Sequence, residues 1–170
     1  MSRRRERHRW TPEFPAVPQL LATSFGAGFL PLAPGTWGAI FAVLIWLPVY
    51  IFCEPLTILI FTAAMALFFT IAGIWASNAA EQYWGTDPVE ACVDETVGQL
   101  ISMLPLYCVP GTWWWEVVLA LALFRFFDIY KPLGIRSMER FPGGFGMMAD
   151  DILAAIYSAA IILIMNYFIL

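Results

Sequence analysis

The chain has 170 residues, 61% hydrophobic and 13% charged, with a mean hydropathy of +0.73 and a formal net charge of -4. That balance excludes an ordinary soluble domain and points to one integral membrane domain whose charges must be read by position, with no nucleic-acid partner expected.

Residues 1–18 form a basic N-terminal segment, in which Arg3, Arg4, Arg5, Arg7 and Arg9 precede Trp10 and Phe14. Pro12, Pro15, Pro18, Gly26, Gly28 and Pro31 interrupt the chain beyond the arginines, so the continuous apolar core of a signal peptide is missing. The segment reads either as lying on anionic lipid headgroups or as a disordered tail. Residues 19–170 then form a single membrane-embedded domain.

Gly26, Gly28, Pro31, Pro34, Gly35 and Gly38 lead into the first apolar run, and Thr36 has the chemistry of an N-cap. No capping-box carboxylate comes after it, so the backbone N–H groups of this helix start, with glycines permitting close approach, suit an anion such as phosphate. An ordinary Pro/Gly turn entering a membrane is the alternative, since no Walker-type Gly-Lys-Ser/Thr is present.

Apolar runs occupy residues 39–53, 56–76, 97–109, 113–127 and 152–170. Two of them can cross a hydrocarbon core of about 30 Å unaided; the others must borrow flanking residues, span a thinned bilayer or dip in without crossing. The expected fold is all-α, a compact polytopic membrane helical bundle with four or five membrane segments. If all five cross, the nine basic residues Arg3, Arg4, Arg5, Arg7, Arg9, Arg125, Lys131, Arg136 and Arg140 share one face, cytoplasmic by the positive-inside bias. Only Glu54 and Glu116 lie towards the other side. A re-entrant hairpin of 97–109 and 113–127 leaves the same residues cytoplasmic.

Between the runs stand three charged clusters. Asp94 and Glu95 directly precede the run at 97, where acids complement the helix dipole or bind a metal. Arg125 and Asp128 are three apart and share a helical face, Lys131 comes next, and Pro132 ends that helix, while Arg136 and Arg140 extend the positive field. Phe141-Pro-Gly-Gly-Phe-Gly-Met-Met-Ala-Asp-Asp151 reads as a flexible loop leading to the last run. Asp150 and Asp151 are more than capping needs, and adjacent like charges at a membrane boundary repel unless a cation or proton offsets them. Magnesium suits such a site, because it takes carboxylate, water and phosphate oxygens.

Exclusions narrow the chemistry. The only histidine is His8, in the basic tail, which argues against a histidine nucleophile or a His-rich metal site. None of Cys53, Cys92 and Cys108 has an arginine six positions on, so a cysteine-phosphatase loop is absent, and no Asp-x-Asp-x-Thr motif occurs. The cysteines read as small hydrophobes. Carboxylate-held metal acting on a phosphate remains.

Four motifs in order, Gly26-x-Gly28 with Pro31-x-Ala-Pro-Gly-Thr36-x-Gly38, Asp94-Glu95-x-x-Gly98, Phe124-Arg-x-x-Asp128-x-x-Lys-Pro132 and Gly143-Gly-x-Gly-x-Met148-x-Asp-Asp151, resemble the phosphatidylglycerophosphatase A family over about residues 20–160. The resemblance implies a magnesium-dependent phosphatase of the bacterial cytoplasmic (inner) membrane, with active-site loops facing the cytoplasm, that converts phosphatidylglycerophosphate to phosphatidylglycerol and phosphate. Carried over to this chain, it implies Glu95, Asp128, Asp150 and Asp151 as Mg²⁺ ligands, Asp94 as a ligand, a base or a group supporting the ligands, and Arg125 and Lys131 as phosphate contacts. With the anion-suited helix start at Gly35 and Thr36 and the positive field of Arg136, the expected catalytic residues are Asp94, Glu95, Asp128 and Asp151, and the expected substrate-binding ones Gly35, Thr36, Arg125, Lys131 and Arg136. This chain departs from the family in having Val93 before the acid pair, Lys131-Pro-Leu-Gly-Ile135 after the basic helix and Ala155 where glycine is usual. It also lacks a histidine before the acid pair. The rival is a small cation transporter whose path the same acids would line; the acids crowd one face, which disfavours it.

Overall fold

The computed structural model describes residues 7–108, 114–138 and 140–169, so Arg3, Arg4 and Arg5 lie outside the described residues, as does the turn at 110–112. Among the described residues there are seven α-helices and no strand: α1 Ala16–Ala22, α2 Pro34–Phe52, α3 Pro55–Trp84, α4 Val93–Ser102, α5 Trp114–Tyr130, α6 Ile135–Met138 and α7 Gly143–Ile169. Three of them, α2, α3 and α7, are long and apolar enough to cross a membrane. The four or five segments read from the sequence thus divide into three such helices, the 17-residue α5 and the 10-residue α4.

Proline explains the short α4. The apolar run 97–109 carries Pro105, which has no N–H to donate and pushes the preceding residue out of helical conformation. The α-helix stops at Ser102 and a 3₁₀ turn, Leu104–Cys108, replaces it. At a rise of 1.5 Å per residue α4 is about 15 Å long, half a hydrocarbon core. It is the central rod of the bundle, packed against α2, α3, α5 and α7, with Val93, Val97 and Leu100 fully buried.

Small residues set the helix spacing by letting backbones approach closely. A methyl group on Gly38 of α2 would stand 2.4 Å from the Cys92 carbonyl oxygen, and one on Gly98 of α4 2.3 Å from the Phe124 ring of α5. The start of α4 is also pinned by polar contacts. Thr96 Oγ1 donates to the Gly38 carbonyl at 2.9 Å and lies 2.6 Å from Ser24 Oγ.

Three local expectations give way to the structure. Thr36 does not cap α2: the helix begins at Pro34, whose missing N–H is harmless in a first turn, Ala33 is the flanking residue, and Thr36 sits inside that turn. The glycine-rich segment from Gly143 to Asp151 is not a loop but the first turns of α7, docked on α3. Its glycines serve proximity: a methyl on Gly144 would stand 2.6 Å from the Ile74 carbonyl oxygen, and Asn78 Oδ1 accepts the Gly144 N–H at 2.9 Å, satisfying one orphan donor of α7. Phe14 does not lie on lipid but is 1% exposed, stacked on Tyr83 and edge-on to Trp84 at the end of α3. His8 stacks on the same Trp84, and its backbone N–H donates to the fully buried Glu90 at 2.7 Å. Trp10 remains exposed.

Candidate active site

The ends of α3 and α5 and the starts of α4 and α7 meet at one end of the bundle around a cavity of about 760 Å³. Asp94 and Glu95 enter it from the first turn of α4, Asp128 from the end of α5, Lys131 from the residue after it, and Asp150 and Asp151 from α7. Glu81 of α3, Thr86 and Asp87 form one wall, and Arg140, Phe141 and Pro142 form the rim before α7. Lys131 holds φ +46°, a left-handed conformation that turns the chain sharply ahead of Pro132.

Within this cavity three carboxylates converge. Asp94, Glu95 and Asp151 each offer an oxygen, and the three oxygens lie within 4.8 Å of one another. Asp128 and Asp150 are matched to cations. Arg125 Nη1 lies 2.7 Å from Asp128 Oδ2 and 3.6 Å from Glu95 Oε1, and Lys131 Nζ donates to Asp150 Oδ2. The predicted i, i+3 pairing of Arg125 and Asp128 is therefore present, and Arg125 bridges it to α4.

The electrostatics arise from the crowding. Burial pushes the Asp94 carboxyl well above its usual range, and the neighbouring Glu95 and Asp151 push it further. Glu95 is raised as well, by burial first, while Arg125 pulls it back. Glu95 Oε2 and Asp151 Oδ2 are buried with no protein partner. Seven carboxylates line the cavity against Lys131 and Arg140, a surplus that would repel a phosphomonoester. All-oxygen donors, their convergence and the two orphaned oxygens fit a hard divalent cation, which would satisfy those oxygens and reverse the local sign.

The remaining predicted residues fall in different places. Gly35 is buried behind the carboxylates, where a methyl would stand 1.9 Å from Glu95 Oε1. Thr36 is half-buried in α2 and outside the cavity lining, and Arg136 is exposed on α6, also outside it. Glu81 and Thr86 line the cavity although sequence reasoning does not place them in the site, and Arg140, read there only as extending the positive field, lines it too. For Glu81 a cue exists: Gly85 marks the end of α3, so helical spacing puts Asn78 and Glu81 on one face beyond the apolar run. Cys92 is fully buried and burial raises its thiol pKa, so it has no thiolate character to offer as a nucleophile.

Residues 20–166 match the family described as phosphatidylglycerophosphatase A. The chain is 51% identical over 156 residues to a Bacteroides thetaiotaomicron protein named putative phosphatidylinositol-3-phosphatase, covering 90% of this chain and 96% of the relative. It is 36% identical to phosphatidylglycerophosphatase A of Haemophilus influenzae, covering 89% of this chain and 90% of the relative. To phosphatidylglycerophosphatase A of Escherichia coli it is 32% identical, covering 84% and 80%. No solved structure matches the chain at a significant level.

Proposed function

The chain belongs to the phosphatidylglycerophosphatase A family and is a phosphoric monoester hydrolase, and from that premise we propose that it hydrolyses phosphatidylglycerophosphate to phosphatidylglycerol and phosphate, with Mg²⁺, at the cytoplasmic face of the bacterial inner membrane. One observation carries the reading: three carboxylates, Asp94 and Asp151 buried and Glu95 half-buried, converge beside two ion-paired cations at one end of an apolar helical bundle. A lipid phosphate at headgroup depth meets such a site without leaving the bilayer. The placement of the basic residues supports the orientation.

Asp94, Glu95 and Asp151 would hold the cation, with Asp128 and Asp150 beside them. Bound there, Mg²⁺ supplies positive charge to the phosphoryl oxygens and a more acidic water. The residues of the chain do the rest. Lys131 lines the cavity, and Arg125 stands next to it, paired with the cavity's Asp128 and Glu95; held by Asp150 and Asp128, the two would meet the phosphate already oriented, the condition under which charge stabilisation is strongest. Asp94, in the first turn of α4 and lining the cavity, is the carboxylate that would take a proton from the attacking water. As the water oxygen bonds to phosphorus, the bond from phosphorus to the glycerol oxygen breaks, and that oxygen leaves with the electron pair and takes a proton. Attack by Asp94 or Asp128 to form an aspartyl phosphate is the mechanistic alternative; trapping of labelled phosphate on the protein would decide for it.

A second reading, hydrolysis of a phosphorylated inositol lipid, is favoured by the name of the Bacteroides relative. The family match leaves the ion-path reading without an observation in its favour. The test is phosphate release by detergent-purified protein from both lipids, with Mg²⁺ or EDTA. Release from phosphatidylglycerophosphate that EDTA abolishes and that falls at least about 100-fold in Asp151→Asn is expected. Release indifferent to EDTA, or none from folded protein, overturns the proposal. Faster release from the inositol lipid would select the second reading.

A further inference from the structure

The cavity is larger than a phosphate needs; at about 760 Å³ it is in the range that takes a drug-sized ligand. Its inner end holds the converging carboxylates, and its rim carries Arg140 and Phe141. Phe141 is 48% exposed and meets Phe145, 52% exposed, edge to face at 5.5 Å between ring centroids. The pair is held in place by the backbone beneath it. Gly143 has φ +66°, and a methyl on Gly146 would stand 2.0 Å from the Phe141 carbonyl oxygen, so the turn carrying Phe141 rests directly on α7. An exposed aromatic pair next to an arginine at the mouth of an acidic cavity is not explained by core packing.

We propose that Arg140, Phe141 and Phe145 form a lipid-binding lip. Arg140 takes a phosphodiester oxygen of the headgroup, and the two rings pack against the acylglycerol portion while the phosphomonoester occupies the inner cavity. The lip selects diacyl lipid phosphates over soluble ones. This rests on the reading that the substrate is a lipid with both a diester and a monoester phosphate. The chemistry of the three side chains favours it: a guanidinium recognises phosphate oxygens, and aromatic rings with one apolar face suit headgroup depth. A general aromatic anchor would change how much protein sits in micelles rather than how it takes lipid within one, so KM for the long-chain lipid is read against its mole fraction in saturating micelles, where the lip alone contributes.

Two substrates are compared in Mg²⁺: long-chain phosphatidylglycerophosphate in detergent micelles, and its deacylated, water-soluble headgroup. The double variant Phe141→Ala/Phe145→Ala is expected to raise KM for the long-chain lipid about five-fold or more with kcat held, and to shift KM for the headgroup less than about two-fold. Arg140→Gln is expected to raise KM for both, since both carry the diester phosphate. Equal losses on both substrates in the double variant, or unchanged constants in both variants, overturn the lip. Retained turnover of the headgroup shows that the variant site has folded. If the wild type hydrolyses neither compound, the functional reading has failed, and the lip is judged by thermal shift with each compound in Mg²⁺. A shift by the long-chain lipid in the wild type that the double variant loses supports it, and equal shifts overturn it.

Discussion

A methyl group on Gly35 would stand 1.9 Å from Glu95 Oε1 and 2.9 Å from Arg125 Nη1, so the absent side chain is what lets α2 close behind the carboxylate and its cation. The Gly35→Ala variant must push Glu95 or Arg125 aside. Because it displaces side-chain ends rather than backbone, the fold is expected to survive, with phosphatase activity down about ten-fold or more, in keeping with the cost of small misplacements at a reacting centre. Phosphate release and the thermal midpoint, measured together, check it; a lowered midpoint with full activity per folded molecule would refute it. Residue identity in the sequence marks Gly35 as part of a site, but as an anion cradle at a helix start. The fold gives it a different surrounding, because Pro34 begins the helix and Glu95 lies against the glycine.

Between elements, the contact that sets the site is α3 against α7. Gly144 lies so close to Ile74 and Ser77 that a methyl would stand 2.6 Å from one backbone oxygen and 2.8 Å from the other's Cβ. Neither neighbour can rotate away, so Gly144→Ala is expected to separate the helices and cost about 1–3 kcal/mol. Asp150 and Asp151 ride on the next turns of α7, so activity should fall with the thermal midpoint. The apolar runs behind α2, α3 and α7 are legible as runs, and Pro132 as the end of α5, since these depend on composition and proline chemistry. The start of α7 is not. Three glycines in nine residues read locally as freedom, and only a facing helix with small residues and Asn78 turns them into a close-packed helical start.

For the whole molecule, the converging acids link stability to pH and metal. Asp94 and Glu95 have folded-state pKa values raised by burial, whereas in the unfolded chain they titrate near 4. Carboxyls raised on folding contribute stability that is present below the unfolded pKa and lost as pH rises through the folded one. Metal-free protein is therefore expected to melt at progressively lower temperature as pH rises from about 4 towards neutrality. Millimolar Mg²⁺ should raise the midpoint most at the upper end of that range, since the cation replaces the proton. Differential scanning fluorimetry in detergent across pH, with and without Mg²⁺, checks this, and a metal effect independent of pH would contradict it. Composition and the order of motifs pointed, without coordinates, to apolar helices able to cross a membrane and to a phosphatase family, because hydropathy and residue chemistry are local properties. Only the tertiary structure decided that Asp94, Glu95 and Asp151 converge while Asp128 and Asp150 pair with cations, and that Glu81, Arg140 and Phe141 join the cavity. Those facts depend on which helix ends meet, and contacts between residues dozens of positions apart are set by packing of small residues across α2, α3, α4 and α7.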